Sequence, residues 1–431
     1  MQLKICGFPQ KKYSIMIIPR DKYLQQLIAA KGNGMVKIVT GIRRSGKSFL
    51  LMTLFHQHLI EQGVQDTHII ELSLDNRKNK RLRNPDTLLD YIDSKIQNDG
   101  KLNYVILDEV QLVDDFVEVL LSLMQDRRLD VYVSGSNSKF LSKDIVTEFR
   151  GRGDVIHLYP LSFYEYYSAV GGDKRDAWKE YYTYGGLPQV LQLESEEKKI
   201  NYLTDLYELT YLKDIVERNH LRNIEGLRTL IRILASDIGS PTNPRRIGNT
   251  FQTNENVSIK DTTIKEYLGY LQDAFLIEEA LRYDVKGRKY IGTETKYYFA
   301  DMGLRAAILN LRQQEETHIM ENVIYNELRM RGYRVDVGMV ETWGTNSQGK
   351  TVRVPLEIDF VVNKGAERIY IQSAFRMPTS EKESQEQRPL LNIPDSFRKI
   401  IIVGDDIMRK VNDNGVITIN VLDFLLDYNS L

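Results

Sequence analysis

The stretch that decides the fold is VKIVTGIRRSGKS, residues 36–48. Residues 36–40 form a short run of mainly apolar, β-branched residues that stops at Gly41, and apolar residues at helical spacing follow Lys47. This order predicts a strand, a glycine-rich loop and a helix in direct succession. The alternation continues with apolar runs at 68–74, 103–110 and 130–136 and helical patterns near 86–97 and 114–125. Alternating elements with apolar strands predict an α/β fold with a parallel sheet covered on both faces.

Residues 41–48 satisfy the spacing G-x-x-x-x-G-K-[ST] between a predicted strand and a predicted helix. Glycines allow backbone N–H groups to surround phosphates, and the helix N-terminus adds the positive end of its dipole. We expect Lys47 to reach the β- and γ-phosphates of a nucleotide and the Ser48 hydroxyl to ligate Mg²⁺. Arg43 and Arg44 occupy variable positions of this loop, where contact with the nucleotide and exposure to solvent are both open.

Two acids, Asp108 and Glu109, follow the apolar run at 104–107. Ligands of open α/β sheets bind at the carboxyl ends of the strands, so this position suits a functional site. We expect Asp108 to hold Mg²⁺ and Glu109 to polarise the attacking water. The sequence has no guanine-reading Asn-Lys-x-Asp at the position expected in a GTPase, which favours ATP as the nucleotide.

Polar and basic residues surround the next two predicted strands. Ser136 and Asn137 follow the run at 131–134, where either could orient the γ-phosphate, although a plain turn explains them equally well. Arg150 and Arg152 precede a further strand, where an arginine finger would act on a neighbouring subunit. A salt bridge at a domain edge is the alternative. The arginine-finger role would require a homo-oligomer.

The composition indicates an ordinary globular protein. A length of 431 residues exceeds what one core supports, so two to four packed units are expected. Lys and Arg number 58 against 59 Asp and Glu, which excludes a global positive field as an argument for nucleic-acid binding. With Cys6 alone and six His, a structural zinc site is not expected. We find no secretory leader and no apolar run of about 18 residues, so we expect a cytoplasmic protein without membrane contact.

These motifs, taken in order, resemble the AAA+ ATPases, and more closely a prokaryotic group in which a P-loop ATPase is fused to a C-terminal restriction-endonuclease-like domain. The segments that carry the resemblance are residues 39–48, 107–111, 134–138, 151–152, 160–163, 211–215, 284–287, 296–305 and 321–327. The implied fold class is an α/β P-loop NTPase of the AAA+/ASCE type with a helical lid, a winged helix and a nuclease-like α/β domain. The expected domains are the ATPase core at 1–160, the lid at 161–220, the winged helix-turn-helix at 221–305 and the nuclease-like domain at 306–431.

The sequence Gly185-Gly-Leu-Pro188 also looks like a lid motif in which the proline packs near adenine, although a turn between helices explains the same residues. The expected cofactors are ATP and Mg²⁺. The expected catalytic residues are Glu109, Lys47, Asn137 and Arg152. The expected metal ligands are Ser48 and Asp108. The expected nucleotide-binding residues are Gly41, Ile42, Arg43, Arg44, Ser45, Gly46, Lys47, Ser48, Phe49 and Pro188.

In the C-terminal region, Glu321, Glu357, Asp359 and Gln372 resemble the acidic Mg²⁺ site of restriction-endonuclease-like folds. Those enzymes use a nearby lysine to assist the attacking water, and Ala374 stands at the position where we expect it. Without that ammonium group, water activation and charge stabilisation both weaken. We therefore expect a degenerate nuclease fold with a binding or structural role, and metal-dependent cleavage is the alternative.

The middle region supplies the argument for DNA. Thr262, Thr263, Lys265 and Tyr267 lie on the expected recognition helix and residues 286–289 on the wing, where cations would meet DNA phosphates. A protein contact through the same surface is the alternative. The leading hypothesis is an ATPase that uses ATP hydrolysis as a conformational switch for an attached recognition domain. The rivals are an ATP-regulated DNA nuclease and a scaffold that holds ATP without hydrolysing it.

Overall fold

The computed structural model describes residues 16–136, 152–255, 258–312, 315–345 and 349–431. A five-stranded sheet forms the N-terminal part, in the order β2-β3-β4-β1-β5 with all neighbours parallel. Its strands are β1 (Val36–Thr40), β2 (Ile69–Ser73), β3 (Asn103–Asp108), β4 (Leu129–Ser134) and β5 (Gly153–His157). The prediction of a parallel α/β sheet is confirmed.

Helices cover both faces of this sheet: α1 (Asp21–Ala29), α2 (Lys47–Phe49), α3 (His56–Glu61), α4 (Pro85–Asp93) and α5 (Phe116–Gln125). Helix α2 continues into α3 through the wider turns of Leu50–Phe55. Successive residues of β1 face opposite sides, because Ile38 packs in the cluster with α4 and α5 while Val39 packs with α1 and α3. Both clusters are apolar, which explains why the strands read as continuous apolar runs.

Strands β1 and β4 share a buried ion pair. The Lys37 side chain is fully buried and its ammonium contacts the Asp130 carboxylate. The same carboxylate accepts hydrogen bonds from the Tyr132 hydroxyl at 2.9 Å and the Gly32 N–H at 3.0 Å. Because each charged group is paired and hydrogen-bonded, the sheet can bury both.

A helical lid follows the sheet, with helices α6 (Phe163–Val170), α7 (Lys174–Tyr184), α8 (Glu196–Asp205) and α9 (Lys213–Arg218). Helix α7 ends at Tyr184 because Gly185 has φ 79°, a conformation that favours glycine. A short 3₁₀ turn, Pro188–Gln192, follows.

Three helices and a hairpin come next: α10 (Ile224–Ser236), α11 (Pro244–Glu255), α12 (Asp261–Asp273), β6 (Ile277–Asp284) and β7 (Lys289–Phe299). A winged helix-turn-helix at 221–305 stays a prediction. On α12, Thr262 and Lys265 are exposed. Tyr267 is buried and its hydroxyl donates to the Asn223 carbonyl at 3.2 Å, so a role for Tyr267 in surface contact is wrong. DNA contact through the remaining residues stays a prediction.

The C-terminal part contains helices α13 (Met302–Ile308), α14 (Glu316–Met330), α15 (Ser380–Leu391) and α16 (Val421–Leu426). Its strands are β8 (Arg334–Thr345), β9 (Thr351–Lys364), β10 (Glu367–Ala374), β11 (Arg398–Val403), β12 (Lys410–Val411) and β13 (Val416–Asn420). They form one eight-stranded sheet with the hairpin, in the order β12-β13-β11-β10-β9-β8-β6-β7. Since β6 pairs in parallel with β8, the expected boundary at 305/306 does not separate two sheets. Within the described ranges, no helix is long and apolar enough to cross a bilayer.

Replacing Asp130 by Asn should destabilise the fold by about 3–5 kcal/mol, because it leaves the buried Lys37 ammonium without its counter-charge. Urea unfolding followed by circular dichroism would measure this. The control is Lys101→Gln, which removes a mostly exposed cation 3.9 Å from Asp99 and should cost less than about 1 kcal/mol. Equal losses for the two variants would contradict the role assigned to the buried pair.

Candidate nucleotide site

A cavity of about 670 Å³ lies between the carboxyl ends of the sheet strands and the helical lid. Its wall is formed by the glycine-rich loop, the end of β3 and the first turn after the lid helix α7, together with α9. This size suits a drug-sized or nucleotide-sized ligand, and the location is the edge at which open α/β sheets bind ligands.

Backbone geometry shapes the glycine-rich loop. Gly41 has φ 137°, and a Cβ at this position would overlap the Leu158 carbonyl oxygen. Gly46 has φ 98° and directly precedes the first residue of α2, Lys47. The Lys47 ammonium donates to the carbonyls of Gly41 and Ile42, each at 3.0 Å. Burial lowers the pKa of Lys47 to about 8, although the neighbouring carboxylates oppose this shift.

Arg20 fixes the middle of the loop from outside. Its guanidinium donates to the Ser45 carbonyl at 3.1 Å and to the Tyr159 carbonyl at 2.7 Å, and it pairs with Glu165 at 2.9 Å. The Ser45 hydroxyl is buried and has no hydrogen-bond partner among the described residues. Sequence reasoning missed Arg20, because its partners lie far along the chain and no local pattern marks it.

Asp108 is buried at the end of β3. Its carboxylate accepts the Ser48 hydroxyl at 2.7 Å and the Ser134 hydroxyl from β4. Burial raises the pKa of Asp108, while the two hydroxyl donors oppose this. The residues expected to bind Mg²⁺, Ser48 and Asp108, therefore lie in direct contact. A role for Ser134 at this site was not predicted, although the residue ends the apolar run of β4.

Glu109 has a left-handed backbone conformation, φ 55°, which is uncommon for a residue other than glycine. Its N–H donates to the Ser134 hydroxyl at 3.1 Å. Its carboxylate accepts the Ser136 hydroxyl at 3.0 Å and the Gln111 side-chain amide. Glu109 and Gln111 both line the cavity. The contact between Gln111 and Glu109 was not predicted, because the two residues are separated by a turn whose shape the sequence does not specify.

The lid closes the cavity from the opposite side. Pro188 lines it, and the Pro188 Cγ atom lies 3.8 Å from the point where a Cβ on Gly46 would stand. From α9, Asp214 pairs with Arg43 of the loop at 2.8 Å and with Arg218 at 2.7 Å. Asp214 and Arg218 were not predicted as cavity residues. The lid and the glycine-rich loop are therefore joined by an ion-pair network as well as by packing.

The other predicted residues are distributed unevenly. Arg44 and Phe49 line the cavity, whereas Ile42 packs in the apolar cluster of the lid. Arg152 is exposed and lies just before β5. Its carbonyl accepts the Val36 N–H at 3.2 Å, so Arg152 lies at the amino end of the strands, opposite the end that forms the cavity. An arginine finger from a neighbouring subunit stays a prediction. Asn137 and Arg150 lie outside the described residues.

A second cluster of carboxylates lies in the C-terminal sheet. The Lys296 ammonium, from β7, is 2.8 Å from Glu357, 2.9 Å from Glu321 and 3.9 Å from Asp359. Burial alone would lower the pKa of Lys296, but the carboxylates raise it overall. Ala374 is buried near the end of β10. The Lys296 ammonium therefore forms ion pairs with all three acids. In the described part of the chain, no group of three or more His, Cys, Asp or Glu could hold a metal ion.

Comparison with known proteins agrees with the geometry of the cavity. Residues 33–167 match the family model of an AAA domain, and residues 175–315 match a domain of unknown function. An uncharacterized protein of Haemophilus influenzae is 32% identical over 415 residues, which cover 95% of this chain and 99% of that protein. An uncharacterized protein of Methanocaldococcus jannaschii is 26% identical, over 81% of this chain and 77% of its own.

Among solved structures, the Walker-type ATPase of Pyrococcus abyssi matches 68% of this chain and 96% of its own, with 14% identity and a TM-score of 0.46. The family assignment depends on the sequence matches and on the parallel sheet with its glycine-rich loop. This chain therefore belongs to the same family as the Haemophilus influenzae protein, and its N-terminal region is an AAA-type P-loop ATPase domain.

Proposed function

We propose that this chain hydrolyses ATP to ADP and phosphate with Mg²⁺. The reaction would take place in the cavity between the lid and the glycine-rich loop, residues 41–48, which is the P-loop. The observation that carries the proposal is the contact of three polar groups at one edge of the sheet. Ser48 from the P-loop, Asp108 from β3 and Ser134 from β4 share hydrogen bonds, and Glu109 follows directly. Such an arrangement joins a phosphate cradle to a metal ligand and a base.

The residues present suit Mg²⁺ bound to ATP phosphates. Ser48 and Asp108 offer hard oxygen ligands, and the cation usually keeps several waters besides one or two protein ligands. When bound, Mg²⁺ would neutralise negative charge that develops on the phosphate oxygens. Ser45, whose buried hydroxyl has no hydrogen-bond partner among the described residues, and the start of α2 both line the cavity, where a phosphate would accept hydrogen bonds.

Glu109 is the proposed general base. Its carboxylate would accept a proton from water as the water oxygen bonds to the γ-phosphorus, while the bond from that phosphorus to the ADP oxygen breaks. Gln111 and Ser136 fix the carboxylate orientation in the absence of nucleotide. Lys47 would exchange its two carbonyl acceptors for phosphate oxygens, which are stronger partners because they carry negative charge.

The lid would report the nucleotide state to the rest of the chain. The pairs from Asp214 to Arg43 and Arg218 are part-exposed and adjoin the cavity, so a triphosphate could compete with Asp214 for either guanidinium. This competition gives ATP and ADP different effects on α9, as a conformational switch requires. The nuclease rival is less favoured, because Lys296 forms ion pairs with these acids and no group of three or more His, Cys, Asp or Glu among the described residues could hold a metal ion.

Replacing Glu109 by Gln should lower the turnover number about 10²- to 10⁴-fold and leave ATP binding intact, because the amide cannot accept the proton. Lys47→Ala should instead abolish tight ATP binding. Phosphate release from ATP and Mg²⁺, combined with binding of a fluorescent ATP analogue, would measure both effects.

The matched control is Glu118→Gln, which changes an exposed acid on α5 and should retain wild-type turnover. Wild-type protein that binds ATP yet releases no phosphate would refute hydrolysis and support the scaffold rival. Full activity in Glu109→Gln would refute the role assigned to that carboxylate.

Nucleotide affinity should fall as the pH rises above about 8. The pKa of Lys47 is about 8 without nucleotide, and bound phosphates would raise it. When the pKa of a group rises on binding, the group contributes fully to the affinity at a pH below its pKa in the free protein. As the pH rises above that value, the affinity falls by up to about tenfold per pH unit. Titration of a fluorescent ADP analogue between pH 7 and 9.5 would measure the slope. Ser48→Ala should retain the slope, and a flat wild-type profile would contradict the assignment.

The acidic set of the C-terminal sheet should not cleave DNA, because its carboxylates form ion pairs with Lys296 and no group of three or more His, Cys, Asp or Glu in the described part of the chain could hold a metal ion. Incubation of supercoiled plasmid with the purified protein and Mg²⁺ or Mn²⁺ should give no nicking, in wild type and in Asp359→Ala alike. Nicking by the wild type that disappears in Asp359→Ala would support the nuclease rival instead.

A further inference from the structure

The turn that follows lid helix α7 is held by a residue from the C-terminal half of the chain. Asp301 is buried, and its carboxylate accepts the Gly186 N–H at 2.7 Å. The same carboxylate accepts the Leu304 N–H at 3.0 Å and so caps helix α13. Burial raises the pKa of Asp301 to about 6, although its backbone donors oppose this. One carboxylate therefore joins the lid to α13.

The packing around this carboxylate leaves no space for additional atoms. A Cβ at Gly185 would overlap the Asp301 carboxylate, and a Cβ at Gly303 would overlap the backbone of Tyr184. On its other side, the Gly186 carbonyl accepts the Leu161 N–H at 2.7 Å. The turn between α7 and Pro188 is thus fixed by both neighbours, and its position depends on where Asp301 lies.

This turn leads directly into the nucleotide cavity. Pro188 lies two residues after Gly186, lines the cavity and approaches Gly46 of the P-loop. A shift of the turn would therefore move the wall against which a bound nucleotide packs. Asp108 and Glu109 line the cavity from the end of β3.

Asp301 is itself firmly anchored in the C-terminal half. At the end of β7, the backbone of Phe299 exchanges two hydrogen bonds with the buried Asn322 side chain, both 2.8 Å. Earlier in the same strand, Lys296 pairs with Glu321, and the Tyr298 hydroxyl donates to Glu321 at 2.7 Å. Residues 296–301 are therefore fixed by hydrogen bonds and an ion pair along the segment. One end lies in the acidic cluster and the other on the lid.

We propose that Asp301 is a positioning residue for the nucleotide site, and this role rests on the proposed ATP function. It holds the Gly185–Pro188 turn in place against the P-loop and thereby makes nucleotide affinity depend on the C-terminal half of the chain. Because the turn contacts nucleotide and not the reacting atoms, Asp301 acts on the KM for ATP rather than on kcat.

Two variants disturb this contact from opposite sides. Asp301→Asn places an amide N–H group against backbone donors, and Gly185→Ala places a methyl group against the carboxylate. The matched control is Gly172→Ala in the same lid. Gly172 has φ 81° against 79° for Gly185, so each substitution places alanine at a positive φ, but a Cβ at Gly172 meets nothing within 4 Å.

Phosphate release as a function of ATP concentration, with melting temperatures of all variants, would test the proposal. Asp301→Asn and Gly185→Ala should raise the KM for ATP by about tenfold and change kcat less than about twofold. Gly172→Ala should match the wild type in KM. If one of the two variants fails to fold, the other still decides the outcome.

An unchanged KM in Gly185→Ala, or a rise no larger than in Gly172→Ala, would overturn the proposal. A loss of kcat with unchanged KM would also overturn it. In both cases a wild type that hydrolyses ATP would leave the proposed function standing. A wild type that neither binds nor hydrolyses ATP would refute the proposed function itself.

Discussion

The hydrogen bonds of the Asp108 carboxylate are the constraint on which the N-terminal site depends. Asp108 is buried, so its charge needs donors, and these come from the P-loop through Ser48 and from β4 through Ser134. Ser134 in turn accepts the Glu109 N–H and fixes the unusual backbone of that residue. A single buried acid thereby aligns three segments that are distant in sequence.

Contiguous features of the site could be predicted from the sequence, because their geometry is local. The P-loop residues and the acids after β3 belong to short motifs whose spacing follows from a strand, a turn and a helix. Arg20 and Asp214 could not be found this way, since each meets the P-loop only through tertiary packing. Tyr267 shows the opposite failure, because helical position alone does not tell which face of a helix is buried.

The strands of the C-terminal region could also be predicted from the sequence, but the side chain that contacts its acidic residues could not. The expected lysine was sought on β10, where Ala374 stands, whereas the ammonium that meets the acids comes from Lys296 on β7. Strand β7 lies at the edge of the sheet, separated from β10 by three other strands. Only the fold brings the Lys296 side chain to the acids. The local sequence around β10 therefore suggests an acidic site without a lysine.

Lys37 and Lys296 follow one physical rule in the two sheets. Each is a buried lysine whose ammonium meets carboxylates from neighbouring strands or helices. Breaking such a pair is costly because one charge stays buried, while forming it adds little net stability compared with apolar packing. We infer that these pairs chiefly fix which elements lie together. In the C-terminal sheet, the ion pairs of Lys296 with Glu321 and Glu357 join β7 to α14 and β9.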